Sequence, residues 1–199
     1  MKLTIPIPSP EQITVGQFVD FNKADTNAKK CAVATGLSEE DVNAHPYQVV
    51  KQVVATFRDL MHESEPTPFE KIIILDGEEY GFEPNLDRIE TGAFADLLHL
   101  EDLGLEKNLD KYLSILYRRV TTRWGNKSVK YRIEPYSKNN GDAMDSHELF
   151  KDFKLSQAKG VCAFFLTLHS QLLTASQIQM TAQLKQVTKE MSKEVMEMS

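Results

Sequence analysis

Phe69-Glu70-Lys71-Ile72-Ile73-Ile74-Leu75-Asp76-Gly77-Glu78-Glu79-Tyr80-Gly81-Phe82 decides the fold of this chain. Phe69 to Leu75 and Glu78 to Phe82 are strand-like runs, and the Asp76-Gly77 pair between them readily supplies the positive φ angles of a two-residue turn. A β-hairpin near residues 69–83 follows, in a chain whose remaining periodicity is mainly that of helices. Isolated hairpins are marginal in water, so this one needs further strands or a helical layer.

On its N-terminal side, Glu65-Pro66-Thr67-Pro68 separates the hairpin from a helical segment. Pro46 suits the first position of a helix reaching about Glu63. Val49, Val50, Val53, Phe57, Leu60 and Met61 recur in it every three or four residues, which predicts one buried face. Earlier, Ser38 and Asp41 can cap a short turn. A helix from about Thr26 to Thr35 stops at Gly36, and Thr14 with Gln17 forms a capping box before Val15, Phe18, Val19 and Phe21. Residues 1–12, with Pro6, Pro8 and Pro10, read as an extended proline-containing arm, because each proline lacks an amide donor.

On the C-terminal side, Thr91 is expected to cap a short helix carrying Phe94, Leu97 and Leu98. Leu109, Tyr112, Leu113, Leu116 and Tyr117 predict a helix over about 108–118. Val120 to Arg123 and Ser128 to Ile133 flank Trp124-Gly125-Asn126-Lys127, a second hairpin near 119–134. Residues 137–142 read as a loop with a short helix after it. Ser156 opens an apolar helix whose Val161, Cys162, Phe164, Phe165, Leu166, Leu168, Leu172 and Leu173 spread around the cylinder, as in a nearly surrounded helix. The expected class is therefore α+β and mainly helical: one globular domain over 13–173, with its two hairpins joined in a small antiparallel sheet. Sequence alone leaves that joining open.

Residues 174–199 have a different pattern. Met180, Leu184, Val187, Met191, Val195 and Met198 alternate steps of three and four, with Lys185, Lys189, Glu190, Lys193 and Glu194 on other faces. This is a C-terminal amphipathic helix with a narrow stripe, and its six apolar residues are the candidate partner-binding residues. The helix either folds back on the domain or offers its stripe to another chain, a second copy included. Methionine suits adaptable apolar contacts.

Composition narrows the function. With 41% hydrophobic and 26% charged residues among 199, the chain has enough apolar material for a core. The formal net charge of -6 removes the long-range attraction that a phosphate backbone or an anionic membrane needs. The basic run Arg118, Arg119, Arg123, Lys127, Lys130, Arg132, with Trp124 and Tyr131, reads as the solvent face of an edge hairpin in preference to a single-strand nucleic-acid platform. Cys31 and Cys162 read as buried thiols of a reducing compartment. The N-terminus has no signal-peptide pattern and no stretch is long enough to span a membrane, so a cytoplasmic protein is expected.

No phosphate loop, Gly-x-Ser-x-Gly, His-Glu-x-x-His or Cys-x-x-Cys is present. His45, His62, His99, His147 and His169 share no ligand spacing, so neither a catalytic site, a metal site nor a cofactor is expected. Asp76, Glu78, Glu79, Glu83, Asp87 and Glu90 form the one acidic group with chemical potential. It is expected to be a solvated surface, because Glu78 and Glu79 point to opposite faces of a strand.

The succession of short motifs resembles a known family. It runs through Ile13-Thr14-Val15-Gly16-Gln17-Phe18, Ala34-Thr35-Gly36-Leu37-Ser38-Glu39-Glu40-Asp41 and Tyr80-Gly81-Phe82-Glu83-Pro84-Asn85-Leu86. Leu116-Tyr117-Arg118-Arg119 and Tyr131-Arg132-Ile133-Glu134-Pro135-Tyr136 complete it. In this order the chain is similar to the tail assembly chaperones encoded among the tail genes of tailed bacteriophages, over most of residues 13–173. The resemblance implies a protein of the host cytoplasm that binds the long tape-measure protein or the tail-tube subunit before and during tube polymerisation, then leaves. A permanent virion component, such as a neck, tail-completion or internal protein, is the alternative. A small enzyme using Glu78, Glu79 and Glu83 is the third reading.

Overall fold

Thr14 opens the helical layer as its sequence requires: its hydroxyl accepts from the Gln17 amide, and the Gln17 side chain accepts from the Thr14 amide, both at about 3.1–3.2 Å. In the computed structural model, residues 7–83, 89–125, 130–136 and 146–167 are described. The chain divides into two units, Met1–Cys162 and Ala163–Ser199.

Helix α1 (Val15–Lys23) is followed by α2 (Asn27–Thr35), which ends on Gly36 at φ 73°, then α3 (Glu39–Asn43) and α4 (Tyr47–Glu63). The predicted stripe on α4 is buried at Val50, Val53, Phe57 and Met61. Phe57 meets Phe21 of α1 with ring centroids 5.2 Å apart. A fully buried side chain of this kind contributes about 1.5–3 kcal/mol. Strands β1 (Ile72–Leu75) and β2 (Glu78–Phe82) form the expected hairpin, with Asp76 at φ 49° and Gly77 at φ 78° in its turn. Then come α5 (Thr91–Asp102), α6 (Leu109–Leu116), β3 (Tyr117–Trp124) and β4 (Lys130–Ile133).

The two hairpins share one sheet, antiparallel throughout, in the order β1-β2-β3-β4, with a bulge between Val120 and Thr122. One face carries Ile73, Tyr80, Phe82 and Tyr117; the Tyr80 and Tyr117 rings meet Phe150, and Phe82 meets Tyr117. Phe150 lies in a 3-10 segment, Ser146–Asp152. On the opposite face, the Tyr131 ring lies across Gly81, where a β-carbon would stand 2.6 Å from it. The Tyr131 hydroxyl donates to the Phe82 carbonyl at 2.8 Å. After the 3-10 segment, Val15 donates to the Phe153 carbonyl and Leu155 to the Ile13 carbonyl, which ties both ends of the first unit together. Residues 155–167 are helical (α7); in the second unit Thr167 Oγ1 donates to the Ala163 carbonyl at 2.8 Å.

Several expected boundaries move. Tyr117 belongs to β3 and not to a helix over 108–118: it pairs with Phe82, and its hydroxyl donates to the Glu70 carbonyl, so sheet pairing overrides the helical stripe. The second hairpin therefore starts at 117, not 119. Thr91 is the first residue of α5 and Glu90 the cap position, and α5 extends to Asp102 with Leu98 exposed and Leu100 buried in its place. Pro46 caps α4 from outside, which suits a residue with no amide to donate. The arm is not wholly extended, since Pro10–Gln12 form a 3-10 turn capped by Ser9. Of the apolar helix expected to open at Ser156, Leu168, Leu172 and Leu173 lie outside the described residues, and Leu166 is 56% exposed. Among the described residues no helix is long and apolar enough to cross a membrane.

Candidate interaction site

Strand β1 is an edge, and its backbone is half unused. The Phe82 amide donates to the Lys71 carbonyl, and the pairing Ile72↔Gly81, Ile73↔Tyr80, Ile74↔Glu79, Leu75↔Glu78 continues that register. In an antiparallel ladder, hydrogen-bonded and non-bonded pairs alternate. Lys71, Ile73 and Leu75 therefore direct their backbone groups to β2, while those of Ile72 and Ile74 point outward from the sheet.

That outward side faces an open groove of about 470 Å³, walled by Glu70, Ile72 to Leu75 and, opposite them, Asp152 to Lys154 and Gln157. Ile74 is 70% exposed. Natural sheets blunt their edges with charge, bulges or proline. The far edge, β4, follows this rule with exposed Lys130 and Arg132, and β1 does not. The arrangement presents apolar side chains together with unsatisfied strand hydrogen bonds, the combination needed to receive an extended polypeptide.

The acidic and basic groups of the sequence largely cancel one another across the sheet. Arg119 pairs with Glu78 at 2.8 Å, and Arg123 with Glu79. Both pairs are exposed enough for solvent to screen them, so they add little stability. Arg118 is only 5% exposed and pairs with Glu83 and with Glu90 (3.1 Å), and it donates to the Glu134 carbonyl at 2.9 Å. Glu90 also accepts from the Tyr136 amide at 2.6 Å, which locks the start of α5 to the strand ends. Among the described residues, the solvated acidic surface expected from sequence is thus mostly an ion-paired one, with Asp76 left in its turn; Asp87 lies outside the described residues. The guanidinium of Arg132 rests over the Trp124 ring at 5.7 Å, as the exposed face of a hairpin would have it.

A second group of chemistry-bearing side chains lies where α6 meets the 3-10 segment. Asp110 is fully buried, and neither of its carboxylate oxygens accepts a hydrogen bond among the described residues. His147 Nε2 stands 3.9 Å from Asp110 Oδ2 and 3.0 Å from Glu148 Oε1. The imidazole thus stands between two carboxylates, one of them fully buried. Among the described residues no three His, Cys, Asp or Glu side chains come together as metal ligands. Cys31 and Cys162 are free thiols. Burial raises both, Cys162 to about 11, so neither is a thiolate near neutrality.

Met180, Leu184, Val187, Met191, Val195 and Met198 lie outside the described residues. Sequence reasoning recognised Ile72–Leu75 as a strand but not as an interaction site. The available signal was its run of four apolar residues with no charge or proline inside it, next to a proline-rich linker instead of another strand. Comparison with protein-family models, curated proteins and solved structures finds no match to this chain.

Proposed function

We propose that this chain is a tail assembly chaperone of a tailed bacteriophage, working in the host cytoplasm by binding the tape-measure protein, the tail-tube protein or both, with no cofactor and no catalytic step. The single observation that supports this reading best is the undefended β1 edge beside its groove, an apolar and hydrogen-bonding template of the kind that holds another polypeptide. The motif order across residues 13–173, which resembles that family, supports the reading, and the net charge of -6 would keep a complex with an apolar partner soluble. The stripe Met180, Leu184, Val187, Met191, Val195, Met198 serves as a second contact, for the partner or for another copy of the chain.

Co-expression with the tape-measure and tail-tube proteins of the same genome tests the reading. At least one of them is expected to become soluble and to co-purify with the chain. If neither does, the chaperone function fails. Stoichiometric recovery of this chain from purified particles would instead make it a neck, tail-completion or internal component.

A further inference from the structure

We propose that the β1 edge accepts one extended segment of a partner protein as an added strand, apolar at alternate positions and carrying a lysine or arginine at its flank. This deepens the chaperone reading and rests on it for the identity of the partner, but not for the chemistry of the site.

Ile72 and Ile74 set the register, because theirs are the backbone groups of β1 directed away from β2. The template stops at Glu70, whose carbonyl already accepts from the Tyr117 hydroxyl, and at Asp76, which turns at φ 49°. The added strand is therefore short, about four residues. Side chains of an incoming strand alternate between two environments. Those beside Ile74 lie on the outer face, while those beside Ile73 enter the groove against Phe153 and Gln157.

Charge selects the flank. Glu70, Asp152 and Lys154 all line the groove, and none of the three has an ion pair among the described residues. Two carboxylates against one ammonium leave a net negative rim. The same arithmetic disfavours a second copy of β1. An antiparallel pairing of Ile72 with Ile74 of another copy sets Glu70 opposite Asp76 twice over, and like charges directly opposite destabilise a sheet. Shifting the register by one hydrogen-bonded pair puts a carboxylate opposite an isoleucine.

The test uses the full chain and fluorescein-labelled peptides of alternating valine and threonine, flanked by lysine in one and by glutamate in the other, read by fluorescence anisotropy. The lysine-flanked peptide is expected to bind at least about tenfold more tightly. Ile74→Pro removes an outward amide but no bond to β2, a tolerated place for proline on an edge strand, and is expected to weaken that binding at least about tenfold with cooperative unfolding retained. Glu70→Gln combined with Asp152→Asn leaves the strand intact and is expected to erase the lysine preference, which keeps the proposal testable if Ile74→Pro does not fold. No binding of the lysine-flanked peptide at about 1 mM, or no flank preference, overturns the proposal. So does equal binding by Ile74→Pro, or a dimer of the wild type that Ile74→Pro abolishes. Retention of a co-expressed tail protein by Ile74→Pro as by the wild type overturns the edge as its docking site and leaves the chaperone reading standing. Loss of peptide binding in Ile74→Pro, with no tail protein retained by either form, does the reverse.

Discussion

The Thr67 carbonyl lies directly over Gly160, so close that a β-carbon at 160 would stand 2.1 Å from its oxygen. The Thr67 amide also donates to the Ser156 carbonyl at 3.1 Å. The linker between α4 and β1 is thereby pressed onto the first turns of α7, which positions the groove wall opposite β1. Gly160→Ala forces backbone apart from backbone and is expected to cost about 3 kcal/mol, the upper part of the overpacking range. Gly36→Ala meets nothing within 4 Å and strains only a φ of 73°, for about 1–2 kcal/mol. Urea unfolding of the two variants separates the mechanisms.

Lys159, beside Gly160 on α7, holds the start of the same linker. Its ammonium donates to the Met61 and Ser64 carbonyls, each at 2.7 Å, at the end of α4, where the last carbonyls have no helical partner. Lys159→Met keeps the aliphatic stem and removes these bonds, so a loss of about 1.5–3 kcal/mol is expected. An unchanged unfolding midpoint would show that water satisfies the carbonyls equally well.

Arg118 is the buried cation that Glu83, Glu90 and the Glu134 carbonyl share. Removing one member of a buried ionic group leaves the opposite charge in a poor environment, at about 3–5 kcal/mol. Arg118→Met is expected to lose that much, and Arg118→Lys to recover only part of it, since an ammonium lacks the planar fork. Arg119→Met, at a solvent-screened surface pair, is expected to leave stability nearly unchanged. Thermal unfolding of the three variants ranks them.

Four buried tyrosines make stability fall at alkaline pH. Burial raises Tyr112, Tyr117, Tyr131 and Tyr136 above their ordinary value, with Glu101 adding to Tyr112 and Asp96 to Tyr136; Tyr131 is pushed up to about 12. An unfolded tyrosine ionises near about 10. The folded state therefore holds more protons between that pH and the raised values. Its stability is fully present below about 10 and declines as the pH climbs through about 12. Unfolding midpoints measured between pH 8 and 12 should be level at first and then drop, with Tyr131→Phe less steep. A flat profile would mean the hydroxyls ionise as freely folded as unfolded.

The β1–β2 hairpin and α1 to α4 are legible in the sequence because their signals are local. Asp76-Gly77 supplies the turn angles, Thr14 with Gln17 the cap, Gly36 the left-handed stop, and the α4 stripe its buried face. Tyr117 is the instructive failure. Its spacing from Leu113 and Leu116 is helical, yet its hydrogen bond to Glu70 spans 47 residues and draws it into β3. The acidic and basic runs were each visible, but their mutual neutralisation needed the register of β2 against β3.

Composition, turn chemistry and periodicity thus determined an α+β chain with a helical majority, two hairpins and an amphipathic stripe at its end, because each of those depends on neighbours within about one or two turns. Which strand became an unguarded edge, which arginine was buried and which carboxylates stand beside the groove without an ion pair among the described residues were decided only in three dimensions. Those features arise from pairings between residues dozens of positions apart, where exposure and partner are properties of the assembled sheet and not of any single stretch.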